Sequence, residues 1–131
     1  MDIVDNSLCR LCNANEETIE HLFVDCEISQ NLWKGLQTWI RNMLKINIPL
    51  NKYAIVMGYQ YQHHNFMSIN EIIIKTKDYI FRCANGGQSL NFTCLQYEIK
   101  KMYNERELLS KINSKHKYFQ NVWKNWDKLF G

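Results

Sequence analysis

The sequence predicts a mainly α protein, a small helical bundle with a cysteine-rich knuckle at its N-terminal end. Three observations lead there. Apolar residues recur at helical spacing in four long stretches, and only one short run reads as a strand. Residues 9–26, CRLCNANEETIEHLFVDC, gather three cysteines and a histidine into eighteen positions.

The bulk composition limits the classes open to such a chain. It has 131 residues, 46% of them apolar, which is one domain's length and enough for a modest core. Residues 1–131 therefore read as a single domain, with the knuckle at 9–26 and the helical body at 29–131. An aromatic share of 13% is far from a disordered composition. The net charge of +3 permits contact with nucleic acid without demanding it, and the 16 Lys and Arg are spread along the chain. Met1-Asp2 leads into polar residues rather than an apolar leader, and runs such as Ile72–Ile74 are far too short to span a bilayer. An intracellular protein with no membrane partner is the expectation. In a reducing compartment an odd cysteine count with a C-x2-C points to metal or redox chemistry rather than disulfides.

The metal reading is the stronger. Cys9 and Cys12 offer two thiolates from one turn, for which Asn13 and Asn15 are suited, and His21 and Cys26 complete a four-donor set. Such a shell binds Zn2+ with no open position, so it is structural rather than catalytic. A thioredoxin-like pair would need a strand before the motif, and none precedes it. One geometric difficulty remains. On a continuous α-helix, residues five apart point roughly 140° away from each other. His21 and Cys26 can meet one ion only if the helix ends or bends near Asp25–Ser29.

In chain order, Thr18 caps a short helix carrying Ile19, His21, Leu22 and Phe23, which breaks at Cys26. Ser29 then caps a longer helix whose apolar stripe is Leu32, Trp33, Leu36, Trp39, Ile40, Met43 and Leu44, with Lys34, Arg41 and Lys45 opposite as a solvated face. It ends before Ile48-Pro49. Residues 53–61, YAIVMGYQY, read as a strand or an extended linker, and Gln60–Phe66, with the exposed pair His63-His64, as a loop. Ser68 to Glu71 forms a capping box for a helix burying Ile69, Ile72, Ile73, Thr76, Ile80, Cys83 and Ala84. Glu71 with Lys75 and Asp78 with Arg82 are i,i+4 pairs, and Gly86-Gly87 ends the helix.

Ser89 or Asn91 caps the next helix, with Phe92, Leu95, Ile99, Met102 and Leu109 inward, until a reset near Asn113-Ser114. Tyr118, Phe119, Val122, Trp123, Trp126, Leu129 and Phe130 form a last aromatic helix, with Lys117, Lys124 and Lys128 on its other side. Cys83, Cys94 and the four tryptophans, at helical spacing among Leu and Ile, read as core. The chain holds no G-x-S-x-G, Gly-rich phosphate loop or H-E-x-x-H, and is not expected to be an enzyme by itself.

The stretch CRLCNANEETIEHLFVDCEISQNLW resembles the zinc-binding segment that follows the reverse transcriptase in polyproteins of LINE-type retrotransposons, which lack long terminal repeats. The matching positions are Cys9, Cys12, Glu17-Thr18, His21-Leu22-Phe23, Cys26 and Trp33. INIPLNKYAIVMGY, the Ile-rich helix to Cys83 and the Trp-containing end are similar in style to the same C-terminal region. Eight residues separate Cys12 from His21, more than in the retroviral nucleocapsid knuckle, and the glycine usual there is absent. That departure favours a knuckle built into a helical body. The resemblance implies a zinc-binding accessory domain that binds element RNA during target-primed reverse transcription, in the nucleus and cytoplasm. Arg10, Lys34, Arg41, Lys45, Lys117, Lys124 and Lys128 would then contact phosphates of RNA or DNA. The other reading is a zinc-stabilised module that docks on the polymerase domain of the same polyprotein or another protein.

Overall fold

Capping and burial select the helices. In the computed structural model, which describes residues 7–60 and 64–130, a hairpin and a widened turn at His21–Asp25 are followed by α1 (Glu27–Leu44), α2 (Lys52–Met57), α3 (His64–Gly86), α4 (Phe92–Ile112) and α5 (His116–Val122). A short 3-10 turn, Asp127–Leu129, closes the described chain. Among the described residues the only extended pairing is one antiparallel bridge, Leu8 with Glu16, and no helix is long and apolar enough to cross a membrane. The mainly α expectation holds.

The α1 stripe buries Leu32, Trp33, Leu36 and Ile40, while Trp39 and Leu44 are half-buried and Met43, in the last turn, is exposed. Ser29 does not cap α1. Cys26 does, with extended backbone at φ −60°, ψ 128°, and its carbonyl accepts from Gln30 N. Ser29 lies inside the first turn, fully buried, with its hydroxyl turned to another partner. The helix stops short of Ile48-Pro49, at Lys45, a left-handed residue (φ 59°) whose N–H donates to Arg41 O.

Where a strand or an extended linker is expected at 53–61, Lys52–Met57 form a helix instead. Asn51 accepts from Ala54 N at 3.0 Å, a cap that nucleates one and a half turns and buries Ala54 and Ile55. Burial thereby overrides the β-propensity of Tyr, Ile and Val, a preference that depends on context. Gly58 (φ 72°) ends α2 where Asn70 clamps the chain: Tyr59 N donates to Asn70 Oδ1 and Asn70 Nδ2 donates to Tyr59 O, both at 2.7 Å. A side chain at Gly58 would meet that amide at 3.0 Å, so glycine is required for its φ and for its space.

α3 opens at His64, so the expected Ser68–Glu71 capping box lies within the helix. Phe66 and Met67 are half-buried against the core and extend it backwards, and buried Ser68 donates to Val122 O. His63 and the loop at 61–63 lie outside the described residues. The inward face is as expected, with Ile69, Ile72, Ile73, Thr76, Ile80, Cys83 and Ala84 all buried. Glu71 pairs with Arg106 rather than Lys75, and Lys75 turns to Asp78 and Glu98; the Asp78–Arg82 pair forms at 2.9 Å. Gly87 (φ 66°) ends the helix, with Gln88 N donating to Cys83 O in a Schellman closure.

Asn91 caps α4 by accepting from Cys94 N. Leu95, Ile99 and Met102 are buried, but Cys94, in the capping turn, is exposed rather than core, and Leu109 is 48% exposed. The aromatic terminus is not one helix. Left-handed Asn125 (φ 72°) turns the chain after α5, and folding back seats Trp126, Leu129 and Phe130 inside beside Trp123, where a straight helix would carry the last of them away. Tyr103 of α4 stacks on Phe130 at 4.2 Å and meets Trp123 edge-on at 5.4 Å. Tyr118, expected inside, is half exposed. A single cluster of buried side chains runs from Cys9 and Cys26 to Phe130.

Two substitutions test this packing. Ile99→Ala, at a fully buried site, should destabilise the zinc-loaded chain by about 2–5 kcal/mol in urea unfolding. Asn51→Ala should remove about 0.5–2 kcal/mol through loss of the α2 cap.

Candidate metal centre

The first two donors are placed by a hairpin. Glu17 N donates to Ser7 O, Cys9 N to Asn15 O and Asn13 N to Cys9 O, at 2.6–2.8 Å. Asn13 takes a left-handed conformation (φ 55°), which asparagine tolerates better than most residues. Arg10 fastens this hairpin to α3. Its backbone and guanidinium N–H groups donate to the Glu17 carboxylate at 2.8–3.1 Å, Nη1 donates to Asn85 Oδ1, and the guanidinium lies 5.9 Å from the Phe81 ring centroid.

The second pair of donors comes from the turn before α1. Thr18 Oγ1 accepts from His21 N at 2.9 Å, as an N-cap should. From His21 to Asp25 the backbone widens into a π turn, closed by Cys26 N donating to His21 O at 2.7 Å. In a turn closed i to i+5, residues five apart fall nearly above one another. His21 and Cys26 therefore face the same point, and the expected break follows at once in the extended Cys26.

The donor atoms of Cys9, Cys12, His21 and Cys26 all lie within 4.8 Å of one another. Cys9 Sγ is 3.8 Å from Cys26 Sγ, and Cys12 Sγ is 3.4 Å from His21 Nε2. Tetrahedral zinc, with bonds near 2.3 Å to sulfur and 2.0–2.1 Å to nitrogen, sets its donors about 3.4–3.8 Å apart. The two shorter separations already fit, and the widest closes with a shift of about 1 Å. Cys9, His21 and Cys26 are buried and Cys12 is half-buried, so the cluster is shielded yet reachable. These four residues can hold a zinc ion.

The thiols are not equivalent. The Ala14 backbone N–H, then the His21 ring, hold the Cys12 thiol down to about 6 from an ordinary 9.0. Burial pushes the Cys26 thiol up to about 11. Without metal the Cys12 thiol is thus the more acidic of the two, and Cys26 has to shed its proton to become a ligand.

The expected nucleic-acid contacts are dispersed. Lys34, Arg41 and Lys45 are exposed along α1; Lys117, Lys124 and Lys128 are exposed at the C-terminal end; among the described residues none of the six enters an ion pair with an acidic group. Arg10 differs, being engaged with Glu17, Asn85 and Phe81. Trp33, Trp123 and Trp126 are buried and Trp39 is half-buried against Phe92 and Phe130, so the tryptophans serve the core. Two surface features went unread in the sequence. Lys111 and Lys115 join the expected Lys117 around the turn between α4 and α5, legible as KINSKHK, and an apolar groove opens beside the metal centre.

Purified chain should bind one zinc ion, measured by elemental analysis, and Cys26→Ser should lose most of it. Zinc uptake at pH 7 should release protons, seen by titration calorimetry in buffers of different ionisation enthalpy. Zinc should be lost on acidification, as protons compete with the ion for the thiolates and the imidazole.

Comparison with known proteins agrees with this geometry. The family described as zinc-binding in reverse transcriptase matches residues 1–33, about a quarter of the chain. No curated protein and no solved structure matches it. All four donors fall inside the matched segment, and there the chain is similar to a zinc-binding segment of reverse transcriptases.

Proposed function

We propose that this chain is a non-catalytic, zinc-stabilised accessory module of a LINE-type reverse transcriptase polyprotein, and that it binds the element's RNA during target-primed reverse transcription. The observation that carries the reading is the four-donor cluster inside the segment similar to reverse-transcriptase zinc-binding segments. Four protein ligands fill a tetrahedral shell and leave no position for substrate, so the zinc serves architecture. RNA, or DNA at the target site, is met by exposed cations. Lys34 and Arg41, seven residues apart, lie within about 20° of each other around α1, and Lys45 follows at its C-cap, about 16 Å from Lys34. Lys117, Lys124 and Lys128 supply further phosphate contacts, and with the tryptophans in the core the binding is chiefly to the backbone. Such a module works in the nucleus and the cytoplasm.

A second reading, docking on the polymerase domain of the same polyprotein, is favoured by the groove beside the centre. It measures about 650 Å³ and is lined by Ile19, Phe23, Ile55, Val56, Ile74 and Phe81. Ile19 is 80% and Ile74 63% exposed, an apolar surface of the kind that marks interaction sites. Lys77, whose ammonium burial holds below its usual range, lies at its edge.

Fluorescence anisotropy with a labelled RNA oligonucleotide should show binding that falls steeply with salt. Replacing Lys34, Arg41 and Lys45 by Gln should lower the log–log salt slope by about 1 for each phosphate left without its cation. Absence of salt-sensitive binding at low ionic strength sinks the RNA reading. Ile19→Glu and Ile74→Glu should leave RNA binding intact while weakening any complex with the polymerase domain.

A further inference from the structure

Two side chains of α1 reach back over the metal centre. Ser29 Oγ donates to Leu22 O at 2.5 Å, and Trp33 Nε1 donates to Phe23 O at 2.7 Å. Both residues are buried, with 0% and 3% of their surface exposed. The two carbonyls lie between the ligands His21 and Cys26. In an α-helix Cys26 N would donate to Leu22 O; here it donates to His21 O, and the extended backbone at Cys26 ends the ladder before Phe23 O is reached. A buried carbonyl without a donor is costly, so a widened turn in this place needs donors from elsewhere.

We propose that Ser29 and Trp33 are positioning residues for the metal centre. By donating to the Leu22 and Phe23 carbonyls, they hold residues 21–26 in the one turn geometry that aims His21 and Cys26 at a common ion. Without them the stretch relaxes towards the ordinary helix, whose period points the two side chains about 140° apart. The helix that carries these donors begins at Cys26 itself, so ligand and supports move as one piece. Trp33 has a further tie, because its ring is fixed in the core while its N–H faces the turn. The same residues could merely satisfy buried polar groups, and the two roles differ in what they do to metal affinity.

This inference rests on zinc binding by Cys9, Cys12, His21 and Cys26. The test uses the full chain with Trp33→Phe, which keeps an aromatic ring and loses the N–H, and Ser29→Ala, which loses only the hydroxyl. Ile99→Val, in α4 and with no part in the turn, is the control for general destabilisation. Zinc affinity is measured by chelator competition, and Co2+ substitution reports coordination through its ligand-field absorption. The expected result is a roughly 10–100-fold loss of zinc affinity in each variant, as for other supports of metal ligands, with a weaker or shifted Co2+ band. Ile99→Val should change neither. Wild-type affinity in both variants, or a loss no greater than that of Ile99→Val, overturns the proposal. If Trp33→Phe does not fold, Ser29→Ala decides alone. If the wild-type chain takes up no zinc, the metal reading itself has failed, which is a different outcome from normal uptake by wild type and variants alike.

Discussion

Two ligands five residues apart must point at one ion, and the first third of the molecule is arranged to meet that demand. An α-helix cannot do it, and a fully extended segment would carry the side chains too far apart. A single π turn followed by one extended residue does. The cap at Thr18, the hydroxyl of Ser29 and the indole of Trp33 all bear on that short stretch. α1 inherits its start from Cys26, so the direction of the longest apolar stripe near the site follows from the position of a ligand.

The remainder of the fold is joined to the centre by contacts of another kind. Arg10 ties the hairpin to α3 with a carboxylate, an amide and an aromatic ring around one guanidinium. At the far end, Tyr103, Phe119, Trp123 and Phe130 form an aromatic knot that gathers α4 and the folded-back terminus. α2 covers the π turn with only Ala54 and Ile55, leaving Val56 and its neighbours to solvent. The thin cover explains why an apolar groove opens next to the ligands.

The centre was largely legible in the sequence because its information is local. Ligand types and spacing named the four donors, and the 140° conflict between His21 and Cys26 located the backbone irregularity, though not its π form. Periodicity identified the inner faces of α1, α3 and α4. Errors arose where a short-range signal met a tertiary demand. Ser29 and Ser68 look like caps, yet each hydroxyl is buried and satisfies a carbonyl outside its own turn, Leu22 O and Val122 O. The run Tyr53–Met57 favours a strand until Asn51 and the burial of Ile55 decide for a helix. Left-handed Asn125 could not be foreseen from an aromatic pattern that continues across it. Arg10 reads as a phosphate contact because its pairing with Glu17 depends on the hairpin and its partner Asn85 lies seventy-five residues away.

The locality of the centre also bears on the order in which the molecule assembles. All four ligands and the two donors to their turn lie between Cys9 and Trp33, so closing it requires only short loops, for which the entropic barrier is low. All of these groups precede α3 and α4 along the chain. A metal-closed N-terminal segment is then a preformed seed, presenting the first turns of α1 and the surface on which α2 later folds. The long-range Arg10–Asn85 contact follows, as a latch on a structure whose first piece is already set.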